Sequence, residues 1–267
     1  MDSTEWLSLL RGAAENIHVA VSETRLRCTG LENREVKHAL DEAAQRALIE
    51  TLEVRKTPVN LISEEGNVVV CGGGPVVIAD PVDGTTNLAR GLRPAVTCLS
   101  VSENGNQSGV VAAVVKDLYS GETFTAERGK GVTLDGEPIL VAAPRQARSA
   151  LISLDISKIP KLDRMTLLLN TCRYIRMLGS SATELSLISA GSLDAHIDVR
   201  GTLRATDVSA ALTLLTEAGG VYAVNGVVGD DFPLTKECIM ELIAASNRPL
   251  LDELLTLTGI STCSSAT

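Results

Sequence analysis

The sequence VVIADPVDGTTN, residues 76–87, joins an apolar, mostly β-branched run to two carboxylates. β-Branched residues favour strands, whereas acidic residues are poor strand formers and are costly to bury without a partner. Pro81 cannot donate a hydrogen bond to a ladder, so we expect the strand to end at Asp80. Asp83-Gly84 is then typical of a turn. The stretch therefore predicts a strand end whose carboxylates face a cation.

The donors in this turn are of the type that Mg²⁺ prefers. Asp80 and Asp83 supply carboxylates, and Val82 between them supplies a backbone carbonyl. The N–H groups of Gly84 and Thr85 can hold a phosphate. Because two nearby metal ions can clamp both sides of a phosphoryl transfer, the turn favours Mg²⁺-dependent phosphate chemistry.

Three further acidic positions stand out along the chain. The pair Glu64-Glu65 follows a short apolar step at 59–62, and Asp198 lies at the end of a strand-like run. Asp207 is expected to open a helix, with Thr206 as a candidate cap. Taken singly, such acids are typical of solvated surface or of a helix start.

Composition excludes several classes of protein. The net charge of −9 is unlike that of nucleic-acid binders, which are usually basic, and it disfavours an anionic membrane surface. No apolar run approaches the ~20 residues of a membrane span, and the N-terminus lacks a signal pattern. The six cysteines show no C-x-x-C spacing, which indicates reduced thiols rather than zinc ligands. These features predict a cytoplasmic protein without nucleic-acid or membrane partners.

Periodicity divides the chain into two lobes. Helices are predicted at 4–28 and 34–53, followed by short strands and a hairpin signal at Asn104-Gly105-Asn106. Further along the first half, strands are expected at 95–103 and 109–117. The strand pattern continues at 122–127 and 131–140, with turns at Ser120-Gly121 and Asp135-Gly136. The second half alternates strands at 151–154, 174–178, 193–199, 221–224 and 239–245 with helices at 161–172, 183–189, 207–218 and from about 248. We therefore expect an N-terminal α+β lobe with an antiparallel sheet at 1–146 and a C-terminal α/β lobe at 147–267.

Several motifs, in order, resemble the inositol monophosphatase family of Mg²⁺-dependent phosphatases. Residues 80–87 resemble its signature, and Ser63-Glu64-Glu65 resembles its Gly-Glu-Glu element with Ser in place of Gly. Residues 179–182 and 207–220 resemble its second signature, and the order holds across residues 5–250. The resemblance implies the sugar phosphatase fold, an α/β (α+β) layered αβαβα sandwich with the metal site between two lobes. It also implies a homodimer.

The resemblance assigns roles to individual residues. The ligands of two or three Mg²⁺ ions would be Glu64, Asp80, the Val82 carbonyl, Asp83 and Asp207. Glu65 would hold a metal-bound water, and Thr85 with Asp41 would orient or deprotonate the attacking water. The N–H groups of Gly84 and Thr85 would bind the phosphate. The chain departs from the family before Asp41, where it reads Lys37-His38-Ala39-Leu40 instead of the usual Thr-x-x-Asp pattern.

The substrate side of the resemblance is more distinctive. Ser181 and Asp198 would face sugar or cyclitol hydroxyls. Thr206 replaces a Trp that many members carry, and the loop at 200–205 is about two residues longer than in typical animal or bacterial enzymes. It looks more like archaeal members that hydrolyse both inositol monophosphate and fructose 1,6-bisphosphate. Arg200 and Arg204 could reach a second phosphate, because guanidinium groups match phosphate oxygens.

Two alternatives remain beside the expected hydrolysis of fructose 1,6-bisphosphate or inositol 1-phosphate. A 3′(2′),5′-bisphosphate nucleotidase often carries Lys-Glu-Phe after Asp-Gly-Thr, whereas this chain reads Thr86-Asn87-Leu88. A catalytically silent, metal-binding regulatory homologue is disfavoured because the expected ligands are intact. Phosphate release assays distinguish these alternatives.

Overall fold

Two long helices open the chain and cover one face of the first sheet. In the computed structural model, which describes residues 1–28, 30–157 and 162–260, α1 spans Ser3–Arg27 and α2 spans Asn33–Val54. Both helices lie within a residue of the sequence prediction. Their apolar stripes are buried, with Ile17 and Leu40 at 0% exposure. Asp41 follows Leu40 and so lies at the border of the buried face of α2.

The first sheet is built from the chain between α2 and about residue 138. Its strands are β1 Val59–Ser63, β2 Gly66–Val70, β3 Val76–Asp83, β4 Val96–Ser102, β5 Val110–Asp117, β6 Thr123–Glu127, β7 Gly131–Leu134 and β8 Glu137–Pro138. Their order in the sheet is β2-β1-β3-β4-β5-β6-β7-β8. The turn predicted at Asp135-Gly136 is confirmed, since it divides the strand pattern at 131–140 into β7 and β8.

One parallel pair sets the position of the acids. The sequence predicts an antiparallel sheet, and this is right for every pair except β1 and β3, which run parallel. The carboxyl ends of parallel strands meet at the same sheet edge. Glu64, directly after β1, is therefore brought beside the acidic end of β3, and its N–H donates to the Ala79 carbonyl at 3.1 Å.

The acidic end of β3 departs from the sequence prediction. The strand does not stop at Asp80 but continues through Pro81 to Asp83. Asp80 pairs with Cys98 and Asp83 with Val96, so one residue on β3 is extra and forms a β-bulge. A bulge tolerates proline because the ladder is already interrupted there. Both carboxylates thus come from a bulged strand rather than from a free turn, and α3, Thr85–Ala89, follows at once.

The second sheet carries the C-terminal half. Its strands are β9 Leu151–Asp155, β10 Tyr174–Arg176, β11 Ala195–Arg204, β12 Val221–Val224, β13 Val227–Val228 and β14 Ile239–Ala245. Their order is β10-β9-β11-β14-β12-β13. The helices are α4 Thr166–Thr171, α5 Ser181–Ser189, α6 Ala205–Glu217 and α7 Arg248–Leu257. The expected helix at 161–172 is shorter, because a 3-10 turn at Leu162–Met165 precedes α4, and residue 161 lies outside the described residues.

The segment expected as a long loop at 200–205 is strand as far as Arg204. β11 continues to Arg204, with an irregular register between Asp198 and Leu203. α6 begins at Ala205, so Arg204 and not Thr206 is the N-cap. Asp207 is the third helical residue, and its Oδ2 accepts a hydrogen bond from the Arg204 N–H at 3.1 Å. The predicted Thr206 cap is therefore wrong, because the helix starts one residue before it.

The helices and sheets form five layers, which pack together through three buried apolar clusters. α1 and α2 pack on the outer face of the first sheet. α5 and α6 fill the space between the two sheets. α7 and α4 cover the other face of the second sheet. The expected αβαβα layered sandwich is confirmed, whereas the lobe boundary at 146 and 147 stays a prediction. Among the described residues, no helix is long and apolar enough to cross a membrane.

Candidate metal centre

Three carboxylates from distant parts of the chain converge at one sheet edge. Each of Glu64, Asp80 and Asp207 has a carboxylate oxygen, and these oxygens all lie within 4.8 Å of one another. Glu64 follows β1, Asp80 lies at the β3 bulge, and Asp207 lies in the first turn of α6. Asp80 is 3% exposed, so its charge is held away from water. The sheet edge and the α6 terminus together form an anionic cluster.

The electrostatics of the cluster call for positive charge. Burial raises the pKa of Asp80 well above its ordinary value, and the charges of Glu64, Asp83 and Asp207 raise it further. Burial likewise raises the pKa of Asp83 to about 7, although hydrogen bonds from Ala182 and Ser180 oppose the shift. Carboxylates that disfavour one another's ionisation are stabilised in the charged form by a nearby cation. The cluster is therefore arranged to receive one.

The donor chemistry fits Mg²⁺. The cluster offers hard oxygen donors only, which is the ligand type that Mg²⁺ selects. The Val82 N–H donates to Asp80 Oδ1 at 3.0 Å, which orients that carboxylate. The Val82 carbonyl accepts the Thr85 hydroxyl at 2.8 Å. A carbonyl has two lone pairs, so this oxygen keeps capacity for a cation.

The α5 terminus holds Asp83 in place. The Ser180 hydroxyl and the Ala182 N–H both donate to Asp83 Oδ2, each at 2.8 Å. The Asn87 side-chain amide donates to the Leu178 carbonyl at 2.9 Å and so ties the preceding residues to the same loop. Sequence reasoning missed Ser180 and Asn87. The signal for Ser180 was its place before a helix, since it is the N-cap of α5.

The residues expected to handle water lie beside the cluster. Asp41 on α2 is partly buried, and burial, followed by the charge of Glu65, raises its pKa to about 7. Hydrogen bonding with Thr85 acts in the opposite direction on this carboxyl. The structure thus brings Asp41, Glu65 and Thr85 together, even though the residues before Asp41 depart from the family pattern. Their catalytic roles stay predictions.

Asp198 and Arg200 form a buried, hydrogen-bonded ion pair. Asp198 is 0% exposed, and its Oδ1 accepts hydrogen bonds from Nε of Arg200 at 2.9 Å and from the Arg200 N–H at 3.1 Å. Nη1 of Arg200 also lies 3.0 Å from Asp155 Oδ2, a partner that sequence reasoning missed. A carboxylate buried under this guanidinium does not face open solvent. Substrate contacts by Asp198 and Arg200 stay predictions, and the geometry gives the pair a structural role.

The remaining predicted substrate residues differ in placement. Ser181 is 7% exposed and is the first residue of α5, so its backbone rather than its hydroxyl is the feature near the cluster. Arg204 does not extend into solvent: its Nη2 lies 2.6 Å from Glu64 Oε1 and 3.1 Å from Asp207 Oδ1. Its predicted contact with a second phosphate stays a prediction.

Gly84 is required by two independent features of the turn. Its φ of 87° lies in the left-handed region, and an added Cβ would lie 2.9 Å from the Pro94 carbonyl oxygen. The substitution Gly84→Ala is therefore expected to lower the free energy of unfolding by about 2 to 3 kcal/mol, from backbone strain and overpacking. Chemical unfolding measures it.

Gly12 supplies the matched control. It lies inside α1, and an added Cβ there meets nothing within 4 Å. Gly12→Ala is expected to raise the free energy of unfolding by up to about 1 kcal/mol, because alanine is the better helix former. Equal effects of the two substitutions would contradict the strained conformation assigned to Gly84.

The amino-acid sequence is similar to those of known phosphatases. Residues 5–256 match the sequence model of the inositol monophosphatase family. A fructose-1,6-bisphosphatase/inositol-1-monophosphatase of Thermococcus kodakarensis is 31% identical over 199 residues, covering 74% of this chain and 73% of that protein. Human inositol monophosphatase 1 is 28% identical over 228 residues, covering 81% of this chain and 79% of that protein.

A solved structure resembles the fold as well. The crystal structure of an inositol monophosphatase–fructose 1,6-bisphosphatase superposes with a TM-score of 0.71 at 27% identity. The match covers 82% of this chain and 83% of that one. A match of this length cannot be confined to one half of the chain.

Proposed function

Because the chain belongs to the inositol monophosphatase family, we propose that it is a Mg²⁺-dependent phosphatase that hydrolyses small phosphate monoesters. Its proposed substrates are inositol 1-phosphate and fructose 1,6-bisphosphate, the compounds after which its relatives are named. The observation that carries the proposal is the convergence of Glu64, Asp80 and Asp207 within 4.8 Å. Such a buried set of hard donors suits the metal-dependent chemistry of the family.

The proposed ligands come from rigid elements. Glu64, Asp80 and Asp207 would hold Mg²⁺ together with Asp83 and the Val82 carbonyl, for two or three ions in all. Bound Mg²⁺ lowers the pKa of a coordinated water and neutralises charge on a phosphoryl group. The bulge in β3 and the hydrogen bonds on Asp83 keep the donors oriented before any ion binds. Preorientation of this kind reduces the reorganisation needed during the reaction.

Asp41, Thr85 and Glu65 are the proposed water-handling residues. The Asp41 carboxylate would accept a proton from the attacking water through the Thr85 hydroxyl, and Glu65 would hold a second water. A base whose pKa lies near 7 is suited to such a transfer at neutral pH. The N–H groups of Gly84 and Thr85, at the start of α3, would bind the phosphate oxygens, since the first N–H groups of a helix have no partner within it.

The first test is phosphate release with and without Mg²⁺. Fructose 1,6-bisphosphate, inositol 1-phosphate and phosphoadenosine phosphate are assayed in parallel on the full chain. Mg²⁺-dependent release from the first two is expected. Release from the nucleotide alone would instead favour a 3′(2′),5′-bisphosphate nucleotidase. No release from any of the three, with Mg²⁺ still binding, would favour a silent regulatory homologue.

Assembly and compartment are also part of the proposal. We expect a homodimer in the cytoplasm, acting on a small phosphorylated sugar or cyclitol, without nucleic-acid or membrane partners. The family resemblance supports the dimer, and the net charge of −9 supports the absence of polyanionic partners. Analytical ultracentrifugation tests the dimer, since a single species at the mass of one chain would contradict it.

A further inference from the structure

The guanidinium of Arg204 forms ion pairs with two of the proposed metal ligands. Its Nη2 lies 2.6 Å from Glu64 Oε1 and 3.1 Å from Asp207 Oδ1. Its Nε donates to Asp207 Oδ2 at 3.3 Å. These two carboxylates are the ones that converge with Asp80. The guanidinium therefore bridges two of the three acids of the cluster.

The backbone of Arg204 is held, while its side chain has a route outward. Arg204 ends β11 and caps α6, and its N–H donates to Asp207 Oδ2 at 3.1 Å. The side chain is 30% exposed. Rotation about its side-chain bonds can thus move the guanidinium into solvent without disturbing either element. Long arginine side chains reorganise in this way because their stems are flexible.

Arg200 provides the contrast within the same strand. Its side chain is only 16% exposed, and it pairs with Asp155 and Asp198, neither of which is a proposed ligand. Both arginines are paired with two acids, but only Arg204 uses acids of the metal cluster. The difference points to a role for Arg204 that involves the cation rather than the fold alone.

We propose that Arg204 competes with one metal ion: its guanidinium bridges Glu64 and Asp207 in the metal-free protein, and cation binding at these carboxylates displaces it. The inference rests on the proposed function, because it assumes that the cluster binds Mg²⁺. A small cation needs the carboxylate oxygens at about 2.1 Å, a place that the guanidinium hydrogen bonds occupy. Two positive charges on the same oxygens also repel each other.

Competition divides the metal ions into two classes. An ion that uses neither Glu64 nor Asp207 would leave the ion pairs of Arg204 in place, since that arginine pairs with these two carboxylates. An ion that uses Glu64 or Asp207 requires the form in which the guanidinium has left them. Its apparent affinity is reduced by the fraction of protein in which the guanidinium has left. The metal-free protein meanwhile gains a partner for two otherwise unpaired carboxylates.

The test compares the unsubstituted protein with Arg204→Met and Arg200→Met, each as the full chain after removal of metal with EDTA. Mg²⁺ binding is measured by isothermal titration calorimetry, and thermal unfolding is measured without metal. Arg204→Met is expected to tighten the weaker class of Mg²⁺ sites about tenfold, which is about 1.4 kcal/mol, while lowering the metal-free Tm. Arg200→Met is expected to lower Tm and leave Mg²⁺ affinity unchanged.

The outcomes separate this inference from the proposed function. Equal or weaker Mg²⁺ binding by Arg204→Met would overturn the competition and leave the metal centre standing. The same tightening by Arg200→Met would also overturn it, because the effect would then be general to charge. Absence of Mg²⁺ binding in all three proteins would refute the metal centre and the competition together. If Arg204→Met does not fold, Arg204→Lys replaces it, with a smaller tightening expected from loss of the bidentate fork.

Discussion

Asp83→Asn is expected to lower kcat for phosphate release by about a thousandfold or more, with the fold intact. The variant removes one negative charge from a buried site, where single electrostatic groups have effects of this size. The asparagine carbonyl can still accept the hydrogen bonds that Ser180 and Ala182 donate to Asp83 Oδ2. The loop before α5 therefore stays attached. Mg²⁺-dependent phosphate release and thermal unfolding, measured on the same preparation, check both halves of the prediction.

A second carboxylate serves as the control for Asp83. Asp252 lies on α7 with half of its side chain exposed, and it pairs with Arg248 one turn earlier. Asp252→Asn removes the same charge far from the cluster in the fold, so kcat is expected to be unchanged. Full activity of Asp83→Asn would show that the assigned ligand set is wrong. Loss of folding in that variant would show that its charge, rather than its oxygens, holds the α5 loop.

The metal-free protein is expected to lose about 2 to 4 kcal/mol of stability between pH 6 and pH 8. Burial raises the pKa of Asp83 to about 7 and that of Glu184 to about 8. Both values lie above those of the unfolded chain, so the native state binds more protons in this range. Stability contributed by such groups is present at low pH and is lost as pH rises through the folded pKa. Urea unfolding in EDTA at pH 6, 7 and 8 measures the decline.

A buried histidine opposes the two carboxyls on the acid side. Burial lowers the pKa of His196 to about 4, and its Nδ1 lies 3.3 Å from Glu184 Oε2. Below about pH 6.5 the unfolded chain protonates this residue while the native state does not, so His196 offsets part of the stability that Asp83 and Glu184 contribute as pH falls.

Two comparisons test whether Asp83 and Glu184 cause the loss of stability between pH 6 and pH 8. Saturating Mg²⁺ should reduce the fall between pH 6 and pH 8, because a cation beside Asp83 favours its charged form. Glu184→Gln should flatten the part that remains, and its amide oxygen can still accept from the Leu178 N–H, the contact made by Glu184 Oε1. A metal-free protein that becomes more stable from pH 6 to pH 8 would contradict these assignments.

Much of the fold follows from local sequence patterns. The helical stripes of α1 and α2 repeat every three to four residues, and their predicted bounds differ from the observed ones by about a residue. Residues 221–224 and 239–245 were predicted as strands with the observed bounds. These elements were predictable because their own burial pattern determines their conformation.

The wrong predictions of strand ends and strand pairing share one cause. The continuation of β3 past Pro81, the parallel pairing of β1 with β3 and the extension of β11 to Arg204 all depend on a partner strand. No local pattern records which strand lies alongside. A proline after an apolar run predicts an end, and only the bulge opposite Cys98 allows the strand to continue.

The candidate site shows the same division. The resemblance to the inositol monophosphatase family, which several motifs carry in order along the chain, led to the five proposed ligands and to Thr85 and Asp41. The partners of these residues were not predictable. Ser180 on Asp83 and Arg204 on Glu64 are contacts between side chains from distant parts of the chain, which only the tertiary packing brings together.

The sequence by itself determined the chemistry: oxygen donors at a strand end, a glycine that permits the turn, and an acidic chain without features of a polyanion binder. The tertiary structure alone decided the charge balance. Whether a carboxylate is buried, paired or left facing a cation depends on long-range contacts as well as local ones, since the energy of a charge is set by everything within a few ångströms. Arg200 and Arg204 lie four residues apart on one strand, yet Arg200 also pairs with Asp155, whereas Arg204 also pairs with the proposed metal ligand Glu64.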